Sequence, residues 1–147
     1  MSTFTLSMRV YYEDTDSGGV VYYANYLRFM ERARTEWLRS LGFEQDELLR
    51  DNGILFAVRT ARLDFLKPAR FNDLLEVTAE PERQGKASVD FRQQVRRGEE
   101  LLCTGEIRLA CIDAERFVPA PIPEEIARRF SSAGSPAAGT VKARTVR

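Results

Sequence analysis

The sequence predicts an α+β fold in which one antiparallel sheet of about five to six strands wraps around a single long helix. Three observations predict it. One stretch, from Tyr26 to Leu41, repeats apolar residues at helical spacing. About five stretches alternate apolar and polar residues with a period of two. Four of those strands follow one another in the second half of the chain, separated only by turn signals. Strands joined by short turns pair antiparallel, and a sheet with one apolar face needs the cover that the helical stripe supplies. At 147 residues the chain is long enough to bury one core without covalent staples, and no internal repeat or second-domain boundary interrupts it.

The elements follow in order. Phe4, Leu6, Met8, Val10 and Tyr12 alternate with Thr5, Ser7, Arg9 and Tyr11, which makes a half-buried strand. In the helix, Tyr26, Met30, Ala33, Trp37 and Leu41 form the apolar stripe with Leu27 and Leu38 beside it, so these read as core. Arg28, Glu31, Arg32, Arg34, Glu36 and Arg39 occupy mostly the other side, and Gly42 is a C-cap candidate. Residues 44–50 form a short connection and Asp51-Asn52-Gly53 a turn. The run from Ile54 to Leu66 is long for one strand and changes character at Arg59, so a bend is expected there; Pro68 then stops it. Leu75, Val77 and Ala79, then Val89, Phe91 and Val95, then Leu101, Cys103, Ile107, Leu109 and Cys111 mark three inward faces, with hairpin turns at Gln84-Gly85 and Arg97-Gly98. Phe117 to Pro119 suggests a short last strand and Pro123 to Phe130 a terminal helix. The predicted domain is 1–130. The tail 131–147, rich in Ser, Gly, Ala and Pro, is expected to be disordered.

Composition removes several classes of function. Lys+Arg and Asp+Glu are both 22, so no global field draws the chain to nucleic acid or to an anionic membrane. No apolar run approaches membrane-spanning length and the first ten residues lack a signal-peptide pattern, which gives the expectation of a cytoplasmic protein with no membrane insertion. Cys103 and Cys111 lie eight apart in one strand and read as separate buried thiols. The chain contains no histidine, which excludes Ser-His-Asp and Cys-His triads, histidine metal sites and a histidine base. Carboxylates, Lys, Tyr and backbone groups are left for acid–base work.

Those groups concentrate between Tyr12 and Tyr26. Glu13, Asp14 and Asp16 put three carboxylates within four residues, followed by Gly18-Gly19 and then by Val20, Val21, Tyr22 and Tyr23. Acidic turns are usually exposed caps. This one is walled by apolar residues and leads into a helix start, where unsatisfied N–H groups favour developing negative charge.

The run Tyr12-Glu13-Asp14-Thr15-Asp16-Ser17-Gly18-Gly19-Val20-Val21-Tyr22-Tyr23-Ala24-Asn25-Tyr26, continued by Phe29-Met30-Glu31-Arg32-Ala33-Arg34, resembles the signature of hotdog-fold acyl-CoA thioesterases. Leu66-Lys67-Pro68-Ala69-Arg70 and Asp73 fit it too, and the resemblance covers the chain from Phe4 to about Phe130. The branch it most resembles contains 4-hydroxybenzoyl-CoA thioesterase and the Tol-Pal-associated thioesterases. The resemblance implies hydrolysis of a thioester to a carboxylate and free CoA, without metal or other cofactor, CoA being part of the acyl-CoA substrate. It implies Asp16 as the catalytic carboxylate, either nucleophile or general base, and the backbone N–H of Tyr23 as the donor to the carbonyl oxygen. Gly18 and Gly19 would let backbone approach the substrate, or simply make the turn. Lys86 and Ser88, with Arg83 nearby, match positions that hold the nucleotide end of CoA; a solvated hairpin is the other reading. The resemblance also implies a homodimer or homotetramer with sites at the protomer interface. The Tol-Pal-associated branch usually has His where this chain has Tyr23, and the hydroxybenzoyl branch has Tyr. Two alternatives therefore stand beside a general acyl-CoA thioesterase: an aromatic thioesterase, and a non-catalytic acyl-CoA or partner-binding module of the Tol-Pal system. Glu31 reads as a surface partner of Arg34 or Arg28, or as a supporting carboxylate in the pocket.

Overall fold

A computed structural model describes residues 3–134. Strand β1 (Phe4–Arg9) leads through a 3-10 turn (Tyr12–Asp14) and the acidic turn into helix α1 (Asn25–Ser40). A short helical segment, α2 (Gln45–Glu47), widens into a π-helical turn (Leu48–Asn52) before β2 (Ile54–Phe65). β3 (Leu74–Gln84), β4 (Ser88–Arg97) and β5 (Glu100–Asp113) form a meander, and α3 (Glu124–Gly134) closes the described chain. All strand pairs are antiparallel, in the order β1-β3-β4-β5-β2. The α+β expectation of one sheet around one helix holds, with five strands.

Helix α1 lies against this sheet through Tyr26, Phe29, Met30, Ala33, Trp37 and Leu38, all buried. Its end is a Schellman motif: Gly42, at φ 97°, donates to the Arg39 carbonyl at 2.9 Å, and Phe43 donates to the Leu38 carbonyl at 3.2 Å. The close approach of helix to sheet is made at Gly105, in the middle of β5. A Cβ there would stand 2.7 Å from Met30 Sδ and 2.9 Å from its Cε. The gap in the apolar alternation between Cys103 and Ile107 is therefore the seat of the helix.

Two assignments to the helix faces change. Leu27 is 41% exposed, whereas its neighbours Tyr26 and Phe29 are buried, so it stands at the edge of the apolar arc rather than within it. Arg34, expected on the polar side, is only 8% exposed, since it sits four residues after Met30 and three before Trp37, inside the apolar arc. Bulges change two strand faces. The register of β2 shifts at Arg59, so Ile54 and Phe56 meet the core before it and Leu63 after it. A shift between Val95 and Arg96 makes Leu102, rather than Leu101, the fully buried residue. One extra residue moves every following side chain to the other face.

Cys103 and Cys111 are free and buried, as expected. Residues 117–119 contribute a single bridge, Pro119 to Ile112, rather than a strand. α3 continues four residues past the predicted end at Phe130, while 135–147, the greater part of the tail expected to be disordered, lies outside the described residues. Among the described residues no helix is long and apolar enough to cross a membrane.

Candidate active site

The acidic turn is a small hairpin hung on the rest of the fold. Thr15 pairs with Val21, the Asp16 N–H donates to the Val20 carbonyl at 2.9 Å, and the Gly19 N–H returns to the Asp16 carbonyl at 3.0 Å. Gly19 has φ 82°, a conformation that costs glycine little and other residues more. The Gly18 N–H donates to Asp16 Oδ1 at 2.9 Å, and a Cβ on Gly18 would lie 3.3 Å from that oxygen. The glycines thus shape the turn that fixes one oxygen of Asp16; the residue itself is exposed.

Burial separates the three carboxylates. Asp14 is buried and spoken for: its Oδ2 accepts the Tyr11 N–H at 2.8 Å, and its carbonyl accepts the Tyr22 N–H at 3.0 Å and Asn25 Nδ2 at 2.8 Å. It ties the hairpin to the start of α1. Glu13 and Asp16 both face water, and of these only Asp16 is set in the turn by a backbone donor.

At the helix start, Asn25 donates to the Tyr22 carbonyl at 2.8 Å and Tyr26 to the Tyr23 carbonyl at 3.3 Å. The N–H groups of Tyr23 and Ala24 have no acceptor among the described residues. Two adjacent unclaimed donors at the positive end of a 16-residue helix suit an anionic oxygen. The Tyr23 side chain is 62% exposed and meets Phe65 edge-on at 6.2 Å. Its hydroxyl, beside Tyr22, raises that neighbour's phenol above the ordinary range.

The hairpin is held from the other side by the segment after β2. Val21 donates to the Ala69 carbonyl at 2.8 Å, Val20 bridges Arg70, and Ala69 donates to the Tyr26 hydroxyl at 3.0 Å. Arg70 N–H and Arg97 Nη1 both donate to Asp73 Oδ2, at 2.8 and 2.6 Å, and Arg97 also bridges to Glu100 at 2.7 Å. Glu100 first and Asp73 second hold the Arg97 guanidinium firmly in its charged form. Sequence reasoning kept Tyr26 as core and gave Arg97 no part beyond a turn. The polar end of Tyr26 is the signal that pointed to a partner.

Lys86 and Ser88 lie elsewhere. They belong to the β3–β4 hairpin, whereas Asp16 and Tyr23 stand at the other end of the sheet, where β2 and β4 finish. The ten residues of β4 span about 33 Å, so within one chain the two groups are not brought together. Ser88 folds back over the turn: its carbonyl accepts the Gly85 N–H at 2.9 Å, and a Cβ on Gly85 would collide with its Oγ at 2.7 Å. Lys86 is exposed and in no ion pair among the described residues.

The sequence pattern of the Thioesterase superfamily matches residues 18–104, more than half of the chain. The chain belongs to this superfamily. As a thioesterase it shares 42% identity over 127 residues with the acyl-CoA thioesterase YbgC of Haemophilus influenzae, covering 86% of this chain and 93% of the relative. A more distant relative is the 1,4-dihydroxy-2-naphthoyl-CoA hydrolase of Thermosynechococcus vestitus, 29% identical and covering 84% of this chain and 86% of the relative. The crystal structure of a probable thioesterase from Bartonella henselae superposes with a TM-score of 0.79 at 35% identity, covering 82% of this thioesterase and 99% of that chain. The hotdog fold and the reading as a thioester hydrolase stand on these likenesses together with the five-stranded wrap.

Proposed function

We propose that this thioesterase hydrolyses an acyl-CoA to a carboxylate and free CoA, with Asp16 acting at the thioester carbon and the Tyr23 N–H receiving the carbonyl oxygen. One observation carries the assignment: in a chain without histidine, a carboxylate set by a backbone bond lies on the hairpin that leads to two unclaimed N–H donors at a helix start. In the covalent form, an Asp16 oxygen bonds to the carbonyl carbon, the C–S bond breaks, and CoA leaves as a thiolate that takes a proton. Water then cleaves the anhydride. In the alternative, Asp16 takes the proton of a water that attacks the same carbon directly. Oδ2 of Asp16, which has no hydrogen-bond partner among the described residues, serves either role.

We infer a homodimer from the exposed apolar surface. Tyr23, Phe65, Leu66 and Val58 are all about half exposed or more and line β2, one of the two edge strands, and the helix start beside it. Monomers rarely leave such a surface bare. Antiparallel pairing of β2 with its own copy reverses the partner's direction, bringing the partner's β3–β4 hairpin end toward the Asp16 end. That arrangement gives Lys86 and Ser88 a route to the nucleotide end of CoA.

The test is Asp16→Asn in a thiol-release assay over benzoyl, hydroxybenzoyl and short and long aliphatic CoA esters. Loss of about 10²–10⁴ in kcat in a folded protein is expected; near-normal turnover sinks the role of Asp16. Single turnover in isotope-labelled water separates the mechanisms, since label enters the enzyme carboxylate only through an anhydride.

A further inference from the structure

Arg34 is buried in the apolar arc of α1 without a carboxylate partner. Its Nη1 donates to Gln93 Oε1 at 2.8 Å, and among the described residues no ion pair involves it. Gln93 is itself fully buried and fixed, its Nε2 donating to the carbonyls of Met30 at 3.0 Å and Thr78 at 2.9 Å. A guanidinium carries five N–H donors, and a neutral amide satisfies one of them here. Arginine does not escape by losing its proton, so the remaining charge and donors are left for something else. Burial lowers its proton affinity, and Glu31 opposes that shift without coming within ion-pair distance.

These donors border a cavity of about 150 Å³ between α1, the first half of β2 and α3. Its walls are Trp37, Phe56, Phe91 and Phe130, with Glu31 and Arg34 as the charged lining. A volume of roughly 150 Å³ is enough for a ligand of benzene size. The Tyr23 N–H is eleven residues earlier, just before the first turn of the same helix and roughly 16 Å away along its axis, so this cavity is not the place where the thioester carbon reacts.

We propose that this cavity is a binding site for a small carboxylate with a body of about one aromatic ring, the carboxylate taken by Arg34 and the ring by Trp37, Phe56 and Phe130. A planar fork matches a carboxylate with two parallel bonds, and edge and face contacts with the surrounding rings hold the body. Glu31 is exposed at the rim, where water screens its repulsion. The inference does not depend on the roles of Asp16 and Tyr23.

Trp37 is the only tryptophan of the chain and lies in the cavity wall, so its fluorescence reports occupancy. Titration of the whole protein with benzoate is expected to give a saturable change, and benzamide, the neutral counterpart, to bind at least tenfold more weakly. Arg34→Gln should erase that preference and Glu31→Gln should tighten benzoate two- to threefold. Asp16→Asn should bind benzoate as the unmodified protein does. Equal affinity for benzoate and benzamide, or no saturable Trp37 change, overturns the proposal without reference to any variant's folding. Loss of benzoate binding in a folded Asp16→Asn protein also overturns it, by moving the site to the other end of the helix. Inhibition of thioester turnover by benzoate that disappears in Arg34→Gln supports carboxylate recognition at Arg34; competitive inhibition that survives Arg34→Gln places benzoate at the reacting end and overturns the proposal.

Discussion

Replacing Tyr26 by Phe removes one oxygen and leaves the ring in place. That oxygen accepts the N–H of Ala69, a residue with no exposed surface, at 3.0 Å. The N–H has no other acceptor among the described residues, so the variant strands a buried donor, at a cost of about 1–3 kcal/mol. With a urea slope of about 1–3 kcal/mol per molar, the unfolding midpoint should fall by roughly 1 M. The loss should also be felt locally, because the Ala69 carbonyl holds the Val21 N–H at the base of the Asp16 hairpin. Hydrogen exchange at Val21 should accelerate more than exchange at the core amides of β4. Alkaline pH supplies a further check. Burial raises the Tyr26 phenol above its usual value of 10.0, with the Ala69 bond opposing. The folded state therefore favours the neutral phenol: this stabilisation is complete below pH 10 and is lost as pH rises through the raised value. Phe does not ionise, so the gap between the two proteins should narrow above pH 10. An unchanged midpoint with unchanged Val21 protection would refute the reasoning.

Other perturbations test the packing. Gly105→Val pushes carbon into the space of Met30 and should cost about 1–3 kcal/mol; Met30→Val in the same chain should recover part of it, and additive losses in a double-mutant cycle would deny the contact. Cys103 and Cys111 are pushed up to about 12 and about 11 by burial, with Asp64 adding to the first. The native thiols should resist alkylation at pH 8 and react once unfolded. Because their folded values are raised, the stability they carry should be intact below pH 9 and decline as pH climbs toward 11 and 12, which denaturation curves across that range would show.

The periodicities of α1 and of the strands were legible because burial on one face imposes them. The bulges at Arg59 and Leu102 were not: an inserted residue carries no mark in this sequence, and it shows only when the ladder is paired. Gln93 falls on the same alternation as Val89, Phe91 and Val95, so a polar residue on an inward face was available as a signal. It was passed over, and with it the burial of Arg34. The motif singled out Asp16, but only hydrogen bonds distinguish the work of Asp14 from that of its neighbour. The separation of Lys86 from Asp16 follows from strand order, which residue spacing alone does not reveal.

Asp14 bears on how genetic data for this protein should be interpreted. Its carboxylate holds the Tyr11 N–H while its backbone carbonyl holds Tyr22 and Asn25, so a substitution removes the first bond and loosens the turn that presents that carbonyl to the helix start. With Asp16 in its proposed role, a selection scored by growth or colour would return Asp14 and Asp16 together as sensitive, two positions apart and chemically alike. Only the amount of folded protein in each clone would tell the hinge pin from the blade.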